Sequence, residues 1–296
     1  MNRWIRRGAI GAITLIALAA AAVALGLQLG ERKMNRKLDI RASAPALRTD
    51  APAVERGRYL FASRGCAECH GANGGGRTFA EDGHGLKLAA PNITSGGATA
   101  TYSAQDWART IRHGVKPDGR PVQIMPSEDY NRFTDDDLAA VVAYARQLPP
   151  QQGGAAVIAL PLPPRVLYGF GAIPDAAEKI DHSLPPAQPV AEGVSIEHGK
   201  YVANLCLGCH GPALAGGKIA SGPPDWPAAA RLAPGEGSVM PRYPSADSLI
   251  RLFKTGKRAD GSAVAVMPFE TLRELSDTDA RALHLYLTSL GAAPKS

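Results

Sequence analysis

The sequence predicts an all-α protein in which an N-terminal transmembrane helix precedes two tandem domains joined by a proline-rich linker. Three observations lead to this fold class. An uncharged run long enough to cross a bilayer lies near the N-terminus, one pattern of residues occurs twice, and no run of alternating apolar and polar residues indicates strands. The predicted segments are a signal-anchor helix, a short linker, domain 1, the proline-rich linker and domain 2, with bounds 1–30, 31–53, 54–150, 151–195 and 196–296.

The apolar run extends from Gly8 to Leu29 without a charged side chain. At ~1.5 Å per residue, a helix of this length covers the ~30 Å hydrocarbon core of a bilayer. Two interpretations remain open at this point, a signal peptide cleaved after Ala22-Val23-Ala24 and an uncleaved signal anchor. The run continues past that small-x-small site and exceeds the apolar core of about 7–15 residues typical of signal peptides, which favours the anchor. Basic residues flank both ends, so charge alone does not orient the helix.

The formal net charge of +6 resides in the first 41 residues of the 296-residue chain. Residues 1–41 contain eight Lys or Arg and two acids, which leaves 25 of the 33 basic and 25 of the 27 acidic side chains for the rest of the chain. Binding to a phosphate backbone requires a basic surface, and a neutral body does not supply one. We therefore exclude nucleic acid as a partner.

All four cysteines fall in two copies of C-x-x-C-H, the attachment signature of c-type haem. Cysteine-pair zinc sites do not need a histidine after each pair, a thioredoxin-like dithiol requires a βαβ context, and structural disulfides are not confined to pairs two residues apart. The motifs predict two covalently bound haem c groups, each with two thioether bonds and one histidine ligand to iron. The thioether residues are Cys66, Cys69, Cys206 and Cys209, and the axial histidines are His70 and His210.

The repeat extends well beyond the haem motifs. Ser103 to Leu148 aligns without gaps with Ser245 to Leu290, at a constant offset of 142 residues. Each copy is predicted to contain a helix leading into C-x-x-C-H, a second helix capped by Ser103 or Ser245, and a last helix capped by Thr134 or Ser276. An acid follows three residues after each last cap, at Asp137 and Asp279, as in a capping box. We name residues 54–150 repeat 1 and residues 196–296 repeat 2.

The repeat also indicates the second axial ligand of each iron. Met125 and Met267 occupy equivalent positions, each followed by proline, whereas Met240 aligns with Ala98 and has no methionine partner. A core-filling role does not explain why methionine recurs at this position alone. We therefore predict His/Met ligation of both irons, with Met125 on the first haem and Met267 on the second.

The remaining histidines are not predicted to be iron ligands, because none recurs in both repeats, and His284 is expected to be a core residue. His113 aligns with Thr255 and His284 aligns with Val142 on an apolar helical face. His198 replaces Arg56 at a position that we expect to be exposed.

The two linkers differ in composition. The segment from Pro149 to Val194 contains nine prolines, so we expect a semi-rigid connector that runs along both domains with short elements of its own. The first linker is basic in its first half, which we expect to lie near lipid headgroups.

Several longer segments carry a family resemblance. They are E-R-G-R-Y from Glu55, P-N-I-T from Pro91, R-H-G-V-K-P-D-G-R from Arg112, and Met125-Pro126 followed by T-D-D-D-L. These residues resemble the class I cytochrome c fold and, more closely, membrane-bound cytochrome c subunits that serve periplasmic dehydrogenases. Subunits of the alcohol dehydrogenase type usually carry three haem domains, whereas this sequence shows two haem motifs.

This resemblance implies a dihaem electron carrier with no catalytic activity of its own. The expected function is transfer of single electrons from a dehydrogenase or quinol-side donor to a downstream acceptor of the respiratory chain. The expected redox partners are proteins. The N-terminal helix is expected to span the inner membrane once, with the haem domains on the periplasmic side, where haem c is attached. A dihaem peroxidase-like enzyme and a cytochrome c subunit of a terminal oxidase remain as alternatives.

Overall fold

The computed structural model describes residues 3–219, 222 and 225–291, and helices are the main secondary structure of these residues. The end of predicted domain 2, residues 292–296, lies outside the described residues. Within the described part, the N-terminal helices are α1 Arg3–Asn35, α2 Ala51–Ser63, α3 Cys66–His70, α4 Ala104–His113, α5 Ser127–Tyr130 and α6 Asp135–Gln147. The predicted proline-rich linker contains α7 Leu162–Gly169 and α8 Ala176–Lys179. Repeat 2 contains α9 Ile196–Val202, α10 Asn204–His210, a 3-10 turn Met240–Arg242, α11 Ala246–Thr255, α12 Phe269–Leu272 and α13 Asp277–Ser289.

Helix α1 is 33 residues long, and its most apolar window has a mean hydropathy of 2.4. Its length and composition suffice to cross a membrane, and a signal sequence near an N-terminus has the same properties. The helix continues to Asn35, six residues beyond the uncharged run, so the predicted linker 31–53 begins inside the helix. That linker also ends in a helix, because α2 starts at Ala51 with Asp50 as its N-cap.

The predicted caps set the starts of the longer helices in both repeats. The side chains of Ser103 and Ser245 accept hydrogen bonds from the third backbone N–H of α4 and α11. Thr134 and Ser276 do the same for α6 and α13. These side chains satisfy N–H groups that have no acceptor within the helix.

The first and last helices of each repeat cross at close range. Gly57 of α2 lies against the backbone of Ala140 in α6, and Gly199 of α9 lies in the same way against Ala282 of α13. A methyl group at either glycine would overlap the carbonyl oxygen of the facing residue. Glycine at these two positions therefore permits the crossing of helices on which each repeat is built.

Each crossing lies beside a separate hydrophobic core. The core of repeat 1 contains Leu60, Trp107 and Leu138, and Cys66 and Met125 pack against its edge. The core of repeat 2 contains Val202, Leu249 and Leu283, with Cys206 and Met267 at its edge. The residues predicted to hold haem thus border the apolar interior of their own repeat.

The structure corrects the all-α prediction in one region. A three-stranded antiparallel sheet is formed by β1 Thr78–Glu81, β2 Lys87–Ala89 and β3 Val157–Ala159. The turn between β1 and β2 is closed by Asp82, whose carboxylate accepts hydrogen bonds from the backbone of His84 and Leu86. The strands are three or four residues long, and β3 comes from the proline-rich linker, so no alternating run in the sequence indicates them.

The repeats contact each other through a reciprocal pair of tyrosines. Tyr59 of repeat 1 donates a hydrogen bond to Asp279 of repeat 2 at 2.6 Å, and Tyr201 of repeat 2 donates to Asp137 of repeat 1 at 2.7 Å. The two tyrosines are equivalent in the repeat, and so are the two aspartates. The sequence predicted these aspartates as capping-box partners, but their carboxylates bind side chains instead, and several of those donors belong to the other repeat.

A buried cluster on one side of this interface corrects the prediction for His198. The imidazole is 1% exposed, and its Nε2 lies 2.7 Å from Asp279 Oδ1. The same carboxylate accepts a 2.7 Å hydrogen bond from the buried guanidinium of Arg64. His198 is buried because α9 packs directly on α13, which carries its partner. The equivalent Arg56 on the other side pairs with Asp137 and keeps a quarter of its side chain exposed.

The basic residues at the end of α1 and directly after it contact the rest of the protein. Lys33 pairs with Glu178 at 2.8 Å, and Arg36 pairs with the fully buried carboxylate of Asp175 at 2.6 Å. Further along, the backbone N–H of Leu38 donates to the Gly119 carbonyl at 2.9 Å. We expected these basic residues near lipid headgroups, but acids of the second linker already neutralise two of them.

Candidate haem sites

The first C-x-x-C-H motif forms the short helix α3, bounded by glycines in a left-handed or related conformation. Gly65 has φ of 83° and Gly71 has φ of 76°. These positive φ angles favour glycine and turn the chain sharply at both ends of the motif. His70 ends the helix, and its Nδ1 lies 3.0 Å from the backbone oxygen of Pro91. A carbonyl accepts only, so Nδ1 carries the proton and Nε2 is left as the nitrogen with a free lone pair.

The second motif repeats this arrangement. Helix α10 ends at His210, followed by Gly211 with φ of 77°. His210 Nδ1 lies 2.7 Å from the backbone oxygen of Ala230. Both motif histidines therefore have the same tautomer and the same free nitrogen, as metal-ligating histidines held by a backbone carbonyl do.

Burial also keeps both imidazoles neutral. Desolvation lowers the pKa of His70 and of His210, although the carbonyl of Pro91 or Ala230 opposes the shift by stabilising the protonated ring. A protonated imidazole has no lone pair for a metal. The two histidines are therefore in a ligand-competent state at neutral pH.

The four cysteines are free thiols, and desolvation keeps the thiols of Cys66, Cys69 and Cys206 protonated, whereas Cys209 is exposed. Desolvation raises the pKa of Cys66 to about 12 and that of Cys206 to about 12. It also raises the pKa of Cys69 to about 11. Zinc sites and reactive dithiols require thiolates, and the described residues contain no group of three or more metal-binding side chains. These surroundings do not favour the zinc or dithiol interpretations of the cysteine pairs.

The predicted methionine ligands lie on loops with the same backbone hydrogen bonds. The loop in repeat 1 starts at Gly114, which accepts from the N–H of Val122 at 2.7 Å. In repeat 2, Gly256 accepts from Val264 at 3.0 Å. Both loops then reach Met-Pro, where the methionine carbonyl accepts a 2.9 Å hydrogen bond from the residue two positions later.

The prolines after the two methionines have nearly the same backbone angles. Pro126 has φ of −80° and ψ of 64°, and Pro268 has φ of −78° and ψ of 71°. The equivalence of Met125 and Met267 is thus three-dimensional as well as sequential. Met240 differs, because it lies in a 3-10 turn and is only 8% exposed within the core of repeat 2.

Trp107 provides a test of whether repeat 1 suits a haem. The indole is 6% exposed in the core that Cys66 and Met125 border, and its Nε1–H is buried without an acceptor. A buried donor without a partner is costly. The carboxylates of a haem carry the acceptors that this donor requires, so the surroundings fit the cofactor that the motif predicts.

Sequence reasoning missed how closely each motif approaches the other repeat. Glu68, inside the first motif, accepts a 2.7 Å hydrogen bond from Thr271 in α12. Gly208, inside the second motif, lies against the carboxylate of Asp129 in α5. Each motif thus contacts the short helix that follows the predicted methionine ligand of the opposite repeat. Pairings across about 80 to 200 residues leave no signal in a single sequence.

Comparison with known proteins agrees with this geometry. Residues 54–149 match the family model of cytochrome c. Repeat 1 is a cytochrome c domain. A domain of this family implies covalent haem c, in agreement with the fit of the motif and the core of repeat 1 to this cofactor.

Three relatives are cytochrome c subunits of dehydrogenases, and each is 28% identical to this chain. The fructose dehydrogenase cytochrome subunit of Gluconobacter japonicus aligns with 83% of this chain and 54% of its own length. The cytochrome c subunit of the quinone alcohol dehydrogenase of Gluconobacter oxydans aligns with 86% of this chain and 58% of its own length. The gluconate 2-dehydrogenase cytochrome c subunit of Pantoea cypripedii aligns with 82% and 60%. This chain thus spans a little over half the length of these relatives.

Proposed function

We propose that the chain is a membrane-anchored dihaem cytochrome c that transfers single electrons as a subunit of a dehydrogenase complex. In this proposal repeat 2 is a second cytochrome c domain, and the proline-rich linker joins the two. The relatives' alignments cover 82% or more of this chain. Because repeat 1 and both linkers end before residue 196, alignments of that length must include part of repeat 2, which supports a common origin of both repeats with those subunits.

The observation that carries the proposal is the matched state of the two motif histidines. Each donates its Nδ1–H to a backbone carbonyl, at 3.0 Å for His70 and 2.7 Å for His210, and leaves Nε2 free. Two covalently attached haems require two histidines, each with Nε2 free to bind iron and each following two unpaired cysteine thiols.

The residues of the chain have distinct parts in this function. The four cysteine thiols would attach the two haems covalently, and the irons would be held by His70 and Met125 in repeat 1 and by His210 and Met267 in repeat 2. A haem bound in this way exchanges one electron by a change of iron oxidation state. The protein's part is to keep the iron ligands in place, exclude water and keep both imidazoles neutral, so that little rearranges when charge moves.

Two short bridges between the repeats support electron transfer within the chain. The Glu68–Thr271 contact and the Gly208–Asp129 contact place each motif against the other repeat. Each motif is therefore one contact away from the other repeat, on the side of that repeat's proposed methionine ligand. The proposed donor is a dehydrogenase subunit, on the strength of the relatives' names, and the proposed acceptor is a downstream respiratory component.

Haem content tests the dihaem proposal directly. We expect denatured protein to retain two covalent haems per chain, measured by intact mass and by the pyridine haemochrome spectrum. Replacement of Cys206 and Cys209 by serine should reduce the mass by one haem, and the matched change at Cys66 and Cys69 should do the same. A wild-type mass with one haem would contradict the second cytochrome c domain.

Membrane attachment has its own test. If α1 remains attached, the mature chain should begin near Met1, and detergent should be needed to extract it from membranes. A mature N-terminus near Leu25, together with recovery in the soluble fraction, would show that α1 acts as a signal peptide. Haem content does not depend on this outcome, so the two parts of the proposal are separable.

A further inference from the structure

Helix α7 packs against the last turns of α1 with almost no side-chain layer between them. Gly26 and Gly30 are the buried residues of α1. Gly169 of α7 lies so close to Gly26 that an added methyl would overlap the Gly26 carbonyl oxygen. An added methyl on Gly30 would lie 3.2 Å from the carbonyl oxygen of Arg165. Three small residues therefore allow the two backbones to touch, as small residues do between membrane helices.

The position of this contact along α1 fixes the depth of α7. The uncharged run of α1 ends at Leu29, and Glu31, Arg32 and Lys33 follow directly. Gly26 is three residues, or ~4.5 Å, before that end, and Gly30 is one residue after it. Helix α7 thus lies at the level where apolar surface gives way to charge, which is the interface of a bilayer crossed by α1.

The two sides of α7 differ in what they contact. Tyr168 is buried, its hydroxyl donates to Asp175 at 2.9 Å, and the ammonium of Lys33 lies 4.3 Å from its ring centre. Beside the contact with α1, Pro163, Leu167 and Phe170, the residue that follows α7, lie at helical spacing. Leu167 is 47% exposed and Phe170 is 51% exposed, although one edge of the Phe170 ring lies against Gly26 of α1. We name Pro163, Leu167 and Phe170 the α7 stripe.

We propose that the α7 stripe lies in the lipid bilayer, so that the second linker provides a membrane contact of its own. This inference rests on the proposed membrane anchor. The stripe adjoins α1 through Phe170, whose ring lies against Gly26. The neighbouring Leu25 of α1 is 49% exposed, so the apolar surface of α1 continues onto the stripe. Burial of such side chains among acyl chains is favourable. The opposite side of α7, which carries Tyr168, stays packed on the protein.

Photo-crosslinking of the full-length chain in its own membranes tests this inference. The photoreactive residue p-benzoylphenylalanine replaces Leu167 in the stripe, Leu18 in α1 or Leu285 in α13, all of which are exposed. Leu285 is the matched control, because α13 packs mainly on α9 and α11 of repeat 2. Adducts are identified by mass after irradiation, and haem content verifies that each variant is folded.

We expect lipid adducts at positions 18 and 167 and no lipid adduct at position 285. A lipid adduct at position 18 without one at position 167 would overturn the inference while the anchor stands. Absence of lipid at position 18 would overturn the anchor and the inference together. An adduct of position 167 with another polypeptide, or equal lipid labelling at position 285, would also contradict a specific lipid contact of the stripe.

Discussion

At the scale of single residues, one backbone carbonyl selects the nitrogen that each motif histidine leaves free, which is the nitrogen that would bind iron in the proposed function. The acceptors are Pro91 O and Ala230 O, about 20 residues after their histidines. The motif itself is local and was readable from the sequence. The carbonyl partner was not, because it depends on how the glycine-rich loop folds back over the motif.

The first prediction concerns the proposed methionine ligands and uses leucine, which nearly conserves the volume of methionine. Met125→Leu and Met267→Leu should each remove the weak far-red absorption of one oxidised haem and lower the potential of that haem, because the thioether is lost. The spectrum of the oxidised protein and a redox titration measure both effects.

Met240→Leu is the matched control for that experiment. Met240 fills the core of repeat 2, and leucine should fill the same space, so both haems should keep their far-red absorption and their potentials. Loss of the second haem's signal in this variant, with the signal intact in Met267→Leu, would show that repeat 2 takes its ligand from a different loop.

At the scale of secondary-structure elements, the crossing of the first and last helices is the shared framework of the two repeats. Gly57 and Gly199 occupy equivalent positions, and each faces the backbone of the last helix in its repeat. The crossing places α2 and α9 so that the chain leaving each enters a haem motif within a few residues. A glycine in mid-helix is therefore retained at both sites despite its cost to helix stability.

The second prediction follows from this close approach. Gly57→Ala and Gly199→Ala should each lower the free energy of unfolding by about 1–3 kcal/mol, because the helices must separate to admit a methyl group. Gly193→Ala is the control, since an added methyl there meets no atom within 4 Å, and its effect should stay within about 0.5 kcal/mol. Urea unfolding measures all three. Equal stability of the three variants would show that the helix crossing is looser than the structure indicates.

Local signals in the sequence predicted the helices well and the sheet not at all. Ser103, Thr134, Ser245 and Ser276 are caps because a short side chain bonds to a backbone N–H three residues away, which is a local event. Strand β3 forms because the linker returns to β2, about 70 residues earlier in the chain. His198 was wrongly expected to be exposed for the same reason, since its partner Asp279 lies 81 residues away.

At the scale of the whole molecule, each repeat donates a tyrosine hydrogen bond to an aspartate of the other repeat. The two contacts differ in one respect, because only Asp279 also pairs with a buried arginine, Arg64. The Asp279 carboxylate accepts hydrogen bonds from Tyr59 and Arg64 and also lies 2.7 Å from His198 Nε2. The Asp137 carboxylate accepts hydrogen bonds from Tyr201 and from the partly exposed Arg56. Burial raises the pKa of the Asp279 carboxyl, but Arg64 and the hydrogen bonds outweigh it and lower the pKa overall.

The third prediction compares the two aspartates. Asp279→Asn should lower the free energy of unfolding by about 3–5 kcal/mol, because it leaves the buried Arg64 without its counter-charge. Asp137→Asn should cost less, because water still reaches Arg56. Urea unfolding at neutral pH measures both variants. A larger loss for Asp137→Asn would contradict the assigned role of Arg64.

The fourth prediction concerns pH and has a definite sign. Since the pKa of Asp279 is lower in the folded chain, its contribution to stability is present above the unfolded pKa of about 3.9 and is lost as pH falls through the folded value. The wild-type chain should therefore lose stability in acid more steeply than Asp279→Asn. Unfolding midpoints measured across the acid range test this, and parallel curves for the two proteins would contradict it.

The segment between α1 and α2 packs on the rest of the protein, and this affects how the protein can encounter its partners. A free coil of 15 residues between α1 and α2 would have a root-mean-square end-to-end distance of ~20 Å and a much larger maximum reach. Arg36, Leu38 and the buried Ala42 instead hold this segment against Asp175, Gly119 and the core of repeat 1. If α1 anchors the chain as proposed, the two repeats would therefore keep a fixed height and orientation over the membrane. Encounters with partners would then depend on sideways diffusion of the whole molecule or on partners that arrive already oriented.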